Sequence, residues 1–149
     1  MCIIIDVNVA EALLLNANPV ESWLYGKRDE PRLVVGGLLH KELAKNNEVL
    51  KRLRVLDQAG RLRTVDPAIL TKAQHKARTS NDAHVLALAL ASGARTLCTN
   101  DGKLATDFKN PAIVDNPRGS VYKTPSHRHL LQHTASSCGV NPKPTRKKR

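Results

Sequence analysis

The chain has 149 residues, with 24 Lys and Arg against 13 Asp and Glu, for a formal net charge of +11. A chain of this length folds as one domain that removes roughly 70% of its surface from water, so a disulfide framework is not needed for stability. Its three Cys have no C-x-x-C spacing and fit a reducing compartment, so we expect a cytoplasmic protein. It has no apolar run of membrane-spanning length and no signal-peptide pattern, so we expect neither a membrane partner nor secretion.

The positive charge is concentrated in one part of the chain. Residues 116–149 contain eight basic residues and no acidic one. Four of these form an uninterrupted run, Arg146, Lys147, Lys148 and Arg149. Such a run binds a phosphate backbone without reading its sequence, although a solvated terminus that only aids solubility is the alternative. We therefore predict a domain at residues 1–115 and a basic, Pro-punctuated, partly disordered extension at residues 116–149.

Short apolar segments alternate with helical patterns along the predicted domain. In chain order we predict a strand at 2–6, helices at 9–15 and from Pro19, a strand at 32–35, a helix at 38–55 that breaks near Asn46, a strand at 62–65, helices from Pro67 and at 83–91, a strand at 96–98, a short helix at 101–108 and a last strand at 112–114. The continuous apolar run of the first strand is typical of a strand buried on both faces. The alternation predicts right-handed crossovers and a three-layer α/β/α sandwich with a short, mainly parallel sheet.

Carboxylates stand where this architecture brings distant segments together. In a parallel α/β sheet, each helix leaves from the edge where a strand's carboxyl end stops, and the next strand returns to that edge. Asp6 ends the first strand, Asp82 opens a helix, and Asp101 follows the strand which that helix feeds. We therefore expect these acids to be neighbours, with Glu42 joining them from its own helix.

Four carboxylates at one rim would repel one another, and each borders an apolar helix face where an unpaired charge is costly. A divalent cation neutralises such a cluster directly, and Mg²⁺ or Mn²⁺ prefers oxygen ligands. Taken one at a time, each acid could instead be a helix cap, a turn residue or a solvated helix residue. The cluster interpretation depends on all four lying at the same edge.

The segments around these acids resemble PIN-domain ribonucleases. The likeness covers residues 1 to about 115, and its most specific part runs from Asp82 to Asp101. The family implies a small α/β/α sandwich that cleaves RNA with Mg²⁺ or Mn²⁺, leaves 5′-phosphate and 3′-hydroxyl ends, and often forms a homodimer. The family's acidic quartet is matched by Asp6, Glu42, Asp82 and Asp101. Thr99 falls where the family has a supporting hydroxyl, and Asn8 lies beside the first acid.

The resemblance implies a metal-dependent endoribonuclease with RNA as its partner. Basic residues near the rim would hold the RNA backbone, together with the run at residues 146–149. These rim residues are Lys41, Arg78, Lys103 and Lys109. Compact PIN nucleases are often VapC-like toxins with a protein antitoxin, and an RNA-processing nuclease is the alternative within the class. An inactive PIN-like nucleic-acid-binding module and a receiver-like signalling domain are alternatives from other classes.

Several other residues are of types found in zinc, nucleic-acid or catalytic sites, but their surroundings in the sequence indicate structural roles. The set His127, His129, His133 and Cys138 matches no familiar zinc spacing. Trp23 and Tyr25 are expected to pack against a helix or a subunit interface rather than to stack bases, because no aromatic platform surrounds them. Cys98 is predicted to be a small buried strand residue, and His84 an ordinary helix residue.

Overall fold

The computed structural model describes residues 2–26, 31–77, 83–115 and 118–132. The strands in this part of the chain are β1 (Cys2–Ile5), β2 (Arg32–Val35), β3 (Leu62–Thr64), β4 (Thr96–Cys98) and β5 (Ser120–Tyr122). The α-helices are α1 (Val7–Leu15), α2 (Pro19–Leu24), α3 (Gly37–Ala44), α4 (Asn47–Gln58), α5 (Pro67–Ala77), α6 (Ala83–Ser92) and α7 (Gly102–Lys109), and a 3-10 helix spans Pro125–Gln132.

The strands form one parallel sheet in the order β3-β2-β1-β4-β5. β1 is central and pairs with β4 through Ile4 opposite Leu97 and Ile5 opposite Cys98. Helices flank this sheet, an arrangement consistent with a three-layer sandwich, so the predicted α/β class with a parallel sheet is confirmed. Receiver domains have the strand order 2-1-3-4-5. The order found in this chain therefore excludes the receiver alternative.

The hydrophobic core surrounds β1, whose four residues have no exposed surface. This burial is what its continuous apolar run predicts. α6 is strongly apolar, and every residue from Val85 to Ala89 is buried. This helix contacts α3, α5 and β2. Each large aliphatic side chain buried in this way stabilises the fold by roughly 1.5–3 kcal/mol. None of the helices in the described ranges combines the length and apolar character needed to cross a membrane.

A buried arginine joins α6, β4 and the segment after α7. Arg95 Nη1 donates to the carbonyl oxygens of Ala89 at 2.7 Å and Ala94 at 3.0 Å. Its Nε and Nη2 donate to the Asp115 carbonyl at 3.1 and 2.9 Å. Burial lowers the pKa of Arg95, and the negative charge of Asp115 opposes this effect. Because Arg95 directly precedes β4, its hydrogen bonds hold together the edge of the sheet at which that strand begins.

Most of the predicted boundaries are confirmed to within about two residues, and those of β2 and β4 are reproduced. The predicted break near Asn46 is also confirmed, since α3 and α4 are separate helices. Asn46 Oδ1 accepts from the backbone N–H groups of Glu48 at 3.0 Å and Val49 at 3.2 Å. Asn46 is therefore the N-cap of α4, the position that its residue type favours.

The strand predicted at 112–114 is wrong. The Asn110 carbonyl accepts from the N–H groups of Ile113 and Val114, both at 2.9 Å, and Asn110 Oδ1 accepts from Ala112 N at 2.9 Å. Pro111 has a φ angle that suits such a turn and no N–H to offer a sheet. Val114 is fully buried, so these apolar residues contribute to packing rather than to strand pairing.

The fifth strand lies beyond the predicted boundary at residue 115. β5 pairs with β4 through Ser120 opposite Thr96 and Tyr122 opposite Cys98. Tyr122 and Leu131 belong to the hydrophobic core. Residues 118–132, which the sequence assigned to the extension, therefore pack as part of the domain. The basic run at residues 146–149 lies outside the described residues.

The approach of β5 to α7 predicts a severe cost for a side chain at Gly119. A Cβ added there would collide with the Phe108 carbonyl oxygen and would lie 2.6 and 2.7 Å from two atoms of the buried Phe108 ring. We expect Gly119→Ala to lower the free energy of unfolding by at least about 2 kcal/mol, measured by urea denaturation. The matched control is Gly102→Ala, because a Cβ at Gly102 meets nothing within 4 Å. Equal stability of the two variants would contradict this packing.

Candidate active site

The strand order places a topological switch point at β1 and β4. The chain runs from β1 outward to β2 and β3, and then returns to the other side of β1 to form β4 and β5. In open α/β sheets, ligands bind outside the carboxyl ends of the strands at such a topological switch point. Asp6 directly follows β1, and Thr99 directly follows β4. The predicted site residues of these two segments therefore lie at the carboxyl ends of the two strands that meet at the switch point.

Asp6 connects the end of β1 to the start of α1. Its backbone N–H donates to the Cys98 carbonyl at 2.9 Å, which continues the pairing of β1 with β4. Its carboxylate Oδ1 accepts from the Val7 N–H at 2.8 Å and caps α1. Asp6 is only 8% exposed. A carboxylate with so little contact with water depends on hydrogen bonds from the protein.

Thr99 supplies one of those hydrogen bonds and links the first acid to the second. This fully buried side chain donates from Oγ1 to Asp6 Oδ2 at 2.8 Å. The same Oγ1 accepts from the Asp101 N–H at 3.0 Å. The supporting hydroxyl predicted from the sequence therefore joins Asp6 to the backbone of Asp101. We call this arrangement of Asp6, Thr99 and Asp101 the carboxylate bridge.

Asp101 caps α7 on the far side of the bridge. Its Oδ1 accepts from the N–H groups of Lys103 at 2.9 Å and Leu104 at 3.2 Å. Both capping bonds use Oδ1, so Oδ2 is not needed for the cap. Asn8 reinforces the same junction, because its Oδ1 accepts from the Asn100 N–H at 3.3 Å. Both residues predicted to support the site, Thr99 and Asn8, thus contact the segment between β4 and α7.

Glu42 contacts α6 through a histidine that was predicted to be an ordinary helix residue. The distance between Glu42 Oε1 and His84 Nε2 is 3.7 Å, and both side chains are partly exposed. His84 lies in the first turn of α6, two residues after Asp82. Nothing in the sequence pattern links His84 to Glu42, because the contact depends on how α3 packs against α6.

Three acids of the predicted quartet lie in the described part of the chain, namely Asp6, Glu42 and Asp101. Asp6 and Asp101 are brought together by Thr99, and Glu42 lies beside the start of α6. Asp82 and Arg78 lie outside the described residues. Lys41 and Lys103 are exposed; Lys41 directly precedes Glu42, and Lys103 is two residues after Asp101. Lys109 is at the other end of α7, about 12 Å along the helix axis from Asp101.

The donor chemistry of this edge fits a hard divalent cation. Its acidic side chains offer carboxylate oxygens, which Mg²⁺ and Mn²⁺ prefer. Each carboxylate oxygen has two lone-pair directions, so the hydrogen bonds to Asp6 and Asp101 leave oxygen lone pairs for a metal. Within the described ranges, no three His, Cys, Asp or Glu side chains converge as a ligand group. The predicted ligand Asp82 is outside those ranges.

Cys98, His127 and His129 lie in the described part of the chain. Cys98 is fully buried, as predicted, and burial strongly raises the pKa of its thiol, so it is not a thiolate nucleophile. The rings of His127 and His129 lie edge to face with centroids 6.4 Å apart. His127 Nδ1 accepts from the Lys123 N–H at 3.0 Å. His133 and Cys138 lie outside the described residues.

The carboxylate bridge predicts a specific effect of removing one hydroxyl. Thr99→Val keeps the shape of the side chain but leaves Asp6 Oδ2 and the Asp101 N–H without their shared partner. We expect the free energy of unfolding to fall by about 1–3 kcal/mol in urea denaturation. Thr99→Ser keeps the hydroxyl and should retain most of the lost stability. If the Val and Ser variants are equally stable, the bridge does not hold this edge together.

Comparisons of the chain with protein-family models, with curated proteins and with solved structures find no match.

The strand order of the sheet is also that of dinucleotide-binding sheets, whose first turn needs a G-x-G-x-x-G segment. This chain has Asp6, Val7 and Asn8 at that turn, and the Asp6 carboxylate occupies the helix N-terminus where a pyrophosphate would bind. The residues at this turn therefore do not fit a dinucleotide site.

Proposed function

We propose that the chain is a metal-dependent endoribonuclease of the PIN type, which hydrolyses RNA phosphodiester bonds at the carboxyl edge of its sheet. The observation that carries this proposal is the carboxylate bridge. Two acids that are 95 positions apart in the numbering, Asp6 and Asp101, are joined by one buried hydroxyl at the switch point of a parallel sheet. The chain's resemblance to PIN-domain ribonucleases supplies the reaction class.

Helix capping alone does not account for the bridge. An N-cap needs one side-chain oxygen, and Oδ1 performs that role in both Asp6 and Asp101. The buried Thr99 hydroxyl additionally orients the second oxygen of Asp6. Groups that fix the orientation of a metal-ligating carboxylate are a regular feature of metal sites. This geometry supports the proposal that Asp6 is a metal ligand oriented by the Thr99 hydroxyl.

Asp6, Asp82 and Asp101, with Glu42, would hold Mg²⁺ or Mn²⁺ in this proposal. The ion would supply Lewis-acid charge and an activated water for attack on the phosphorus. Thr99 holds the Asp6 carboxylate in one orientation, so the ligand does not have to reorganise during the reaction. The exposed Lys41 and Lys103 would contact the RNA phosphates. No protein side chain has to act as the nucleophile.

A carboxylate-to-amide substitution at Asp101 tests the proposal. Asn is as good an N-cap as Asp, so Asp101→Asn should keep the α7 cap while it removes the ligand charge. We expect cleavage of a structured RNA in Mn²⁺ to fall by at least about 100-fold, since even indirect partners of metal ligands contribute 10- to 100-fold. The same loss is expected for Asp82→Asn and for the unmodified chain in EDTA.

The matched control is Asp57→Asn, which changes an exposed acid near the end of α4 in the same way. It should leave the cleavage rate within about twofold of the unmodified chain, as expected for a surface substitution away from the site. Cleavage that survives both EDTA and Asp101→Asn would refute the metal mechanism. Salt-sensitive RNA binding without any metal-dependent cleavage would instead support the inactive binding module.

The biological role within this proposal is that of a VapC-like toxin, with a protein antitoxin and a homodimer as partners. The alternative role is RNA processing, which the five basic residues between 133 and 149 favour. Purifying the chain together with the product of a small neighbouring gene distinguishes the two roles. A stable complex that suppresses cleavage supports the toxin, and unsuppressed cleavage supports the processing enzyme.

A further inference from the structure

A groove of about 490 Å³ opens between α2 and the 3-10 helix. None of the predicted site residues lines this groove. Pro19, Ser22 and Trp23 of α2 form one side, and Arg128, His129 and Leu131 of the 3-10 helix form the other. The lining combines apolar surface, one indole ring and two basic side chains.

The groove lies at the opposite edge of the sheet from the carboxylate bridge. Thr96, the first residue of β4, donates from Oγ1 to the Leu130 carbonyl of the 3-10 helix at 3.3 Å. The carboxylate bridge begins at Thr99, just after the other end of β4. Those two threonines are about 10 Å apart along an extended chain. The groove is therefore separate from the candidate active site.

Trp23 both packs against the hydrophobic core and lines the groove. It packs against the hydrophobic core, which confirms the packing predicted for it. It is only partly buried, and a base-stacking role for it departs from the expectation drawn from the sequence. It also lines the groove, beside Pro19 and Ser22. An indole held in place by core packing is a rigid flat surface on which a nucleobase can stack at little entropic cost.

The charge of the groove favours an anion. Arg128 and His129 are exposed at its side, and no acidic side chain lines it within the described residues. Glu21, the acid of α2, does not line the groove; the pKa of Arg52 of α4 is raised mainly by its hydrogen bond with Tyr25 and to a smaller extent by the negative charge of Glu21. Residues 116–149 contain no acid at all. Within the described residues, an anion in the groove would thus meet basic side chains and no acidic side chain among those that line it.

We propose that this groove binds single-stranded RNA, with one base stacked on Trp23 and the adjoining phosphates held by Arg128 and His129. An aromatic surface beside basic side chains is the pattern by which proteins bind single strands, whereas an acidic peptide would use the arginine but not the flat ring. The inference goes beyond the proposed function, because binding here needs neither the carboxylates nor a metal ion.

The chain offers a direct readout, because Trp23 is its only tryptophan. The experiment titrates the full chain with a ten-nucleotide 2′-O-methyl oligouridylate in EDTA, and records tryptophan fluorescence. We expect saturable quenching that weakens as salt is raised, as it does for phosphate contacts. An abasic oligonucleotide of the same length has the phosphates without the bases and should cause little quenching.

Arg128→Ala should weaken this binding about fivefold and reduce the salt dependence by roughly one phosphate contact. The matched control is Lys123→Ala, which removes one exposed cation from the same segment outside the groove. Its effect should stay within about twofold, as expected for loss of an exposed, screened charge that does not line the groove. Both residues are exposed, so neither variant should perturb folding.

Three results would overturn the inference. The first is an absence of quenching by RNA, and the second is an equal effect of Arg128→Ala and Lys123→Ala on binding. The third is quenching by oligoglutamate but not by RNA, which would indicate an acidic protein partner. The two proposals fail separately. Loss of quenching with intact Mn²⁺-dependent cleavage rejects the groove alone, whereas intact quenching without cleavage rejects the nuclease alone.

Discussion

The hydrogen bonds of the Thr99 hydroxyl hold the carboxyl edge of the sheet together. One oxygen donates to the Asp6 carboxylate and accepts from the Asp101 backbone, so it connects the segments that follow β1 and β4. Asp6 is nearly buried, and a buried carboxylate is stable only when donors replace the water that it has lost. The bridge meets this requirement and gives the acid a defined orientation at the same time.

The same acids stabilise helices and form the candidate site. Asp6 caps α1 and Asp101 caps α7, and the positive ends of both helix dipoles favour a carboxylate there. Since the α-helices that follow parallel strands begin at the carboxyl edge of the sheet, their caps gather at that edge. A structural role and a chemical role are therefore compatible in one residue, and the first role positions the side chain for the second.

The candidate site and the groove differ in chemical character. The carboxyl edge has acids oriented by hydrogen bonds, whereas the groove at the other edge has an indole ring and basic side chains. β4 connects them, because Thr96 at its start contacts the 3-10 helix and Thr99 just after its end contacts Asp6. A short, fully buried strand is a rigid connection. The distance between the acidic site and the basic groove is thus set by the core.

The sequence by itself determined the α/β class, the bounds of β2 and β4 and the break at Asn46. It also predicted that Asp6 and Asp101 lie close together, and Thr99 links them. These features follow from local signals, namely apolar runs, capping residues and the rule that strand ends share an edge. Only the tertiary structure decided that residues 112–114 form a turn while Ser120–Tyr122 completes the sheet. Both segments are short and apolar, and strand pairing depends on a partner distant in sequence. The contact of His84 with Glu42 and the groove beside Trp23 likewise arise where separate elements pack, which no local pattern encodes.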